Sequence, residues 1–177
     1  FNFGDSRKDL IKRMQALMEK KSLELWKHRR LGLPFKNLNE VITLASIVEK
    51  ETSINSERSR IASVFLNRLR LNMRLQSDPT VIFGITLGKR KLGRRLTRID
   101  LKQENSYNTY RINGLPPSPI ANPGLASIKA VLNPDKTKDL YFVADGTGGH
   151  AFAENLVEHN KNVVKWRKIK SLRILPQ

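Results

Sequence analysis

The segment Ile47–Asn55, IVEKETSIN, sets two carboxylates, Glu49 and Glu51, at the end of an otherwise apolar stretch. Upstream, Val41, Leu44, Ala45 and Val48 recur at the i, i+3, i+4, i+7 spacing of one helical face, so residues 38–52 are expected to form an amphipathic helix. Glu51 follows Val48 by three residues and Leu44 by seven, which puts it at the edge of that stripe. A carboxyl in a partly desolvated place has a raised pKa, stays protonated near neutrality and can serve as a general acid. The commoner arrangement at a helix end is a glutamate paired with a neighbouring cation, here Lys50 or Arg58. Periodicity does not separate the two acids, because Glu49 follows Ala45 by four residues and also flanks the stripe.

The elements that must position these acids are legible from local signals. Ser6 with Asp9, then Leu10, Met14, Leu17 and Met18, predict a helix over 6–30 that Leu33–Pro34 ends. Asn37 with Glu40 signals the start of the 38–52 helix, and a third helix is expected over 56–71 with Ile61, Val64, Phe65, Leu66 and Leu69 inward. Asp78-Pro79 opens a short helical segment, with Asp78 as the expected N-cap and Pro79 at the first position. Gly84–Arg95 reads as an exposed basic loop, and Thr97 with Asp100 repeats the capping pattern. Residues 106–124 carry four prolines and two glycines, so an ordered irregular loop is expected. Asn122-Pro123 is expected to start a helix through Leu132, with Asn122 as its N-cap. Leu140–Ala144 and His150–Ala153 flank the turn residues Asp145–Gly149 as a hairpin, and residues 155–170 return to helix.

Composition bounds the function. The chain has 177 residues, 33 Lys+Arg against 16 Asp+Glu, a formal charge of +17, and no cysteine. Disulfides, thiolate catalysis and Cys-based zinc sites are excluded. No run of 18 apolar residues spans a bilayer, and no signal peptide is visible. The first residue is Phe1 rather than Met, so the sequence reads as an excised fragment whose parent could carry either. The surplus charge attracts polyanions: nucleic acid, anionic lipid headgroups, or an acidic cell-wall polymer. No zinc-finger or RNP motif supports the first of these, which has only charge in its favour. Neither metal-ligand spacing nor a nucleotide-binding motif is present, so no metal and no cofactor are expected.

Four blocks carry a family resemblance: IVEKETSINSER, FLNRLRLNMRLQSDPTVIFG, SYNTYRINGLPPSPIANPG and DLYFVADGTGGHAFAENLVEHN. Together, from about Leu38 to Trp166, they resemble the catalytic domain of the endolytic murein transglycosylases, the YceG-like proteins. More distantly the chain is similar to the broader lytic transglycosylases, whose catalytic Glu is followed by a small hydroxyl residue. Glu51-Thr52 matches that pattern, which favours Glu51 over Glu49. The basic stretch Ile85–Arg95 departs from the short connection of family members.

The resemblance implies an α+β fold, a mostly helical, lysozyme- or lytic-transglycosylase-like domain with a small antiparallel hairpin. The expected division is an N-terminal helical extension over 1–35, the catalytic domain over 36–170, and a C-terminal tail over 171–177. It implies a lyase that cuts peptidoglycan glycan strands internally, with Glu51 as the catalytic residue. It also implies a place at the periplasmic face of the bacterial inner membrane, held by a membrane helix outside this sequence, with cell-wall synthesis proteins as further partners.

A cleft for sugars would be built by the other blocks. Gln76 and Asp78 sit where a helix start presents amides and a carboxylate to hydroxyls, although simple capping also accounts for Asp78. Tyr107, Asn108 and Tyr110 offer flat faces with polar tips, or alternatively core packing. Asn122, Asp145 and His150 complete the substrate-binding candidates, each with a turn or cap role as its alternative, while His159 reads as a helix-surface residue. Two rivals stand beside the lyase: a hydrolase in which Asp78 joins Glu51, and a basic binding module without chemistry.

Overall fold

The computed structural model of the chain describes Gly4 and residues 6–172. Seven helices and one hairpin follow in the order α1 (Arg7–Lys27), α2 (Leu38–Glu51), α3 (Arg58–Arg70), α4 (Asp78–Thr86), α5 (Arg98–Lys102), α6 (Leu125–Leu132), β1 (Tyr141–Ala144), β2 (His150–Ala153) and α7 (Leu156–Leu172). A 3-10 turn, Asn55–Glu57, leads into α3. This is a mostly helical α+β fold with one small sheet. The expected tail begins as the end of α7, and residues 173–177 lie outside the described residues.

Several starts follow their local signals. Ser6 and Asn37 accept from the backbone N–H groups of Asp9 and Glu40. Thr97 and Asp100 form a reciprocal capping box at α5. Two starts differ from expectation. Ser77, not Asp78, precedes the first turn of α4, and Asp78 is its first helical residue. Gly124, not Asn122, precedes α6, because the Gly124 N–H is held by the Glu49 carboxylate and the Gly124 carbonyl receives the first N–H groups of the helix.

Helix α2 is the centre of the molecule. It is not amphipathic in the expected sense: Val41, Leu44, Ala45, Ile47 and Val48 are all fully buried, and Thr43 and Ser46 are buried between them. The polar face is tolerable because its hydroxyls are satisfied. Thr43 donates to the Asn39 carbonyl, and Ser46 donates to Thr43 while accepting from the Ile120 N–H at 2.9 Å. Helices α3 and α6 pack on α2 with Ile61, Phe65, Leu66, Ile128 and Leu132. Each such side chain contributes about 1.5–3 kcal/mol by burial. The Pro-rich loop adds Ile120 to the same core.

The hairpin pairs Tyr141 with Ala153 and Ala144 with His150. Helix α7 covers it without burying any residue of its own, while Phe142 turns edge-on to Phe65 of the core. Helix α1 rests on α6 and α2 through Met18, Leu25 and Trp26. Ile11, Met14 and Leu17 of its first half are exposed. No helix among the described residues is long and apolar enough to cross a membrane.

Candidate active site

Helix α2 ends on its two acids, and the fold treats them oppositely. Glu49 accepts from Ser127 Oγ at 2.6 Å and from the Gly124 N–H at 3.1 Å, with Arg58 Nη2 at 3.8 Å. These donors hold its carboxyl below the ordinary value, the Ser127 bond contributing most. Glu49 is thus a permanent anion that ties α2 to α6. Glu49→Ala is expected to lower the unfolding free energy by about 1–3 kcal/mol. Chemical denaturation of the variant beside the parent measures it.

Glu51 emerges on another side of the same helix, into a groove of about 510 Å³. One wall is Gln76, Asp78 and Tyr110; the other is Tyr141, Phe142 and Val143 from β1. Burial pushes its carboxyl up to about 7, and the charge of Asp78 adds to the rise. Ser77 Oγ opposes it by donating to Glu51 Oε1 at 2.5 Å, and the nearby His150 also opposes it. The C-terminal end of α2 adds its own unfavourable dipole to the charged form. Oε2 has no hydrogen-bond partner among the described residues. The helix-end pairing with Arg58 therefore describes Glu49, and the desolvated carboxyl is Glu51.

The groove walls are fixed from below by Arg68. This buried guanidinium donates to the carbonyls of Leu140, Arg74 and Leu75 and to Gln76 Oε1. It also lies 5.0 Å from the Tyr141 ring centroid. Gln76 has a left-handed backbone, φ 55°, and its N–H donates to the Thr109 carbonyl. Asp78 Oδ1 accepts from the Tyr110 hydroxyl at 2.6 Å. Burial and that bond raise the Tyr110 pKa, so the phenol stays a neutral donor.

Of the expected site residues, Glu51, Gln76, Asp78 and Tyr110 come together in this groove. His150 lies beyond it, bonded through both N and Nδ1 to Glu57 at 2.9 and 2.8 Å. Asp145 caps the hairpin turn by accepting from Thr147 N and Oγ1. Tyr107 packs tilted against Phe83, ring centroids 4.8 Å apart, and bonds Ser118. Asn108 is buried, its amide donating to Leu101 and Gln103 carbonyls and its Oδ1 accepting from Tyr110 N. Asn122 faces a separate apolar hollow beside Met14 and Met18 of α1. These five stand outside the Glu51 groove. His159 is no mere surface residue: it lines the groove, stacks on Tyr141 at 5.0 Å, and buries Nδ1 without a hydrogen-bond partner among the described residues. Burial holds its pKa below the ordinary value.

Sequence reasoning missed Ser77 and Arg68. Ser77 stood next to an Asp-Pro signal that drew the cap assignment one residue too far. Arg68 sits within a basic run, FLNRLRLNMR, where nothing local marks one cation as buried. A larger polar hollow of about 780 Å³, between α3 and residues 134–139, holds no comparable acid: Asp139 there is paired with Arg60 at 2.7 Å. Among the described residues no group of three His, Asp and Glu side chains is placed to hold a metal.

Fold and groove define an α+β domain in which the Glu51 carboxyl, raised by burial, lines an open cleft that Asp78 shares. The chain belongs to the YceG-like family, whose model matches residues 1–165. It is 40% identical over 162 residues to an endolytic murein transglycosylase of Bacillus subtilis, covering 92% of this chain and 42% of that protein. A protein of the same description from Streptococcus pneumoniae R6 is 38% identical over 164 residues, covering 88% and 28%. The chain thus spans less than half the length of these curated relatives. The crystal structure of a YceG-like protein from Listeria monocytogenes superposes with a TM-score of 0.75 at 37% identity, covering 91% of this chain and 52% of that one.

Proposed function

We propose that this domain is a peptidoglycan lytic transglycosylase that cuts glycan strands internally, with Glu51 as acid and then base. One observation carries the reading: the Glu51 carboxyl, raised to about 7, lies in a groove between polar and aromatic walls. The relatives' description as endolytic murein transglycosylases supplies the substrate class.

The chemistry needs one carboxyl because the substrate brings the nucleophile. Protonated Glu51 gives its proton to the bridging oxygen as the bond to the muramic acid C1 breaks. The resulting carboxylate takes the proton of the C6 hydroxyl of that same sugar, whose oxygen closes on C1 to form a 1,6-anhydro ring. No water enters, and Glu51 ends protonated as it began. Tethering of the nucleophile supplies up to about 7–11 kcal/mol of the barrier reduction. Ser77 holds Oε1, which leaves Oε2 as the atom facing substrate. Tyr110 and Gln76 offer fixed polar tips, and Tyr141 with Phe142 an aromatic wall, for the flanking sugars.

A second reading has support in Asp78, which shares the groove and whose charge reaches Glu51. A two-carboxylate hydrolase would leave reducing ends instead of anhydro ends. Asp78 is held by Tyr110, and we assign it the role of keeping Glu51 protonated. Mass analysis of products from purified glycan strands decides the matter. Anhydro ends are expected from the parent protein and from Asp78→Asn alike. The variant's alkaline limb should move to lower pH, because removing a negative neighbour lowers the Glu51 pKa. Reducing ends that vanish in Asp78→Asn would make the hydrolase the right description.

We infer that the parent protein works in the bacterial cell envelope, where its strands lie. The division into an N-terminal helix and a catalytic body also belongs to this proposal. So does a periplasmic position at the inner membrane, with cell-wall synthesis proteins nearby.

A further inference from the structure

A second depression of about 630 Å³ lies across the junction where α2 ends and α4 begins. Its floor is apolar, formed by Pro79, Ile82, Phe83 and Ile120. Its rim carries three cations, Lys50, Arg90 and Lys91. Lys50 and Pro79 are the chain neighbours of Glu51 and Asp78, one Cα step of about 3.8 Å away in each case. The depression and the catalytic groove therefore meet at this junction, on two sides of it.

The rim charges have no other employment. Among the described residues, none of the three forms an ion pair or a side-chain hydrogen bond, although Lys50 feels Glu49 through space. Arg94, in the same basic loop, shows the contrast: it grips Asp100 through two bonds of 2.6 and 2.9 Å. Gly88, with φ +70°, keeps the loop close against the Phe83 ring, where an added Cβ would stand 3.3 Å away. An apolar floor beneath three unneutralised cations selects a ligand that is both anionic and methyl-bearing. Bare sugar is neither. The peptide that hangs from muramic acid is both, since it carries alanine methyls and free carboxylates.

We propose that this depression, floored by Ile82 and Phe83 and rimmed by Lys50, Arg90 and Lys91, is a subsite for the acidic stem peptide of a muramic acid near the cleaved bond. The inference rests on the peptidoglycan reading and extends it: the domain prefers peptide-bearing strands over stripped ones. Carboxylates sit on the rim cations, and methyl groups rest on the floor. The peptide's seat then fixes which glycosidic oxygen lies over Glu51.

The test separates binding from cleavage. Labelled strands, peptide-bearing or stripped of peptide by an amidase, are titrated into Glu51→Gln protein, which holds the groove but does not turn over. Peptide-bearing strands should bind about tenfold tighter at low salt, the sum of three exposed charge contacts. Adding Lys50→Gln, Arg90→Gln and Lys91→Gln should bring the two strand types to parity and leave stripped-strand binding within twofold. In a background retaining Glu51, the triple variant should cleave stripped strands at the parent rate and peptide-bearing strands more slowly. Equal binding of both strands by the parent, or a preference that survives the triple substitution, overturns the proposal. So does a loss confined to phosphatidylglycerol vesicles with strand preference intact, which would make the cations a lipid contact. Failure of the catalytic reading would look different: no anhydro ends from either strand, with the binding preference still present.

Discussion

Glu51→Gln is expected to lower the rate of glycan cleavage by at least about 10³-fold while leaving the fold intact. General acid and general base catalysis each contribute about 10²–10⁴-fold, and here one side chain supplies both. Glutamine retains the oxygen that accepts from Ser77 Oγ and fills the same volume, so the groove keeps its shape. What it lacks is a transferable proton. Anhydro-product release from purified strands, with circular dichroism as a check on folding, measures the effect. The parent protein should also lose kcat/KM above pH 7, tenfold per pH unit, because only the protonated carboxyl starts the reaction. A Gln variant releasing anhydro ends at the parent rate would remove Glu51 from the mechanism.

The second large effect concerns stability. Burial moves Glu51 from its ordinary 4.5 to about 7, so the native state binds its proton more tightly than the unfolded chain does. Below pH 4.5 both states are protonated and nothing is lost. Between 4.5 and 7 the unfolded state gives up the proton first, and stability falls as pH rises. Above 7 the full difference applies, about 3 kcal/mol against the native domain. Glu51→Gln carries no such charge. The variant should therefore match the parent near pH 4 and exceed it at pH 8, by roughly 6–12 °C in Tm for a domain of this size. Thermal melts at both pH values report it directly. Parallel melting curves across that range would mean that the Glu51 carboxyl is not desolvated. An inactive variant that is also more stable would identify a residue kept for chemistry at the expense of the fold.

Local signals made the scaffold legible and left the site half-read. Helices α1, α2 and α3, the hairpin and the Pro-rich loop followed from spacing, caps and turn residues because those signals are short-range. The difference between Glu49 and Glu51 is not short-range. Ser127 and Gly124 hold the first as a carboxylate, while Tyr141, Phe142 and Val143 dry the second, and all lie far along the chain. The hydroxyl that followed Glu51 in the sequence turned out to serve the turn: Thr52 Oγ1 accepts from the Ile54 N–H and approaches Glu57. Asn108 and Tyr107 stood open between sugar contact and core packing because a polar tip on a loop has no visible partner in a sequence. Their partners are backbone carbonyls and Ser118, which only the folded loop brings near. The centrality of α2 was hidden for a related reason, since the carbonyls and the Ile120 N–H that satisfy the Thr43 and Ser46 hydroxyls are not visible in the sequence.

Arg68 joins the turn before α4 to the residue preceding β1, segments 65 residues apart in the chain. Long-range closures of this kind come late, after nearer contacts have already condensed. A nascent chain emerging as far as residue 138 would own Glu51, Ser77 and Asp78 but have no second wall to dry them. Its carboxyl would titrate as any surface acid does. A groove able to keep Glu51 protonated is thus complete only once β1 has joined the fold.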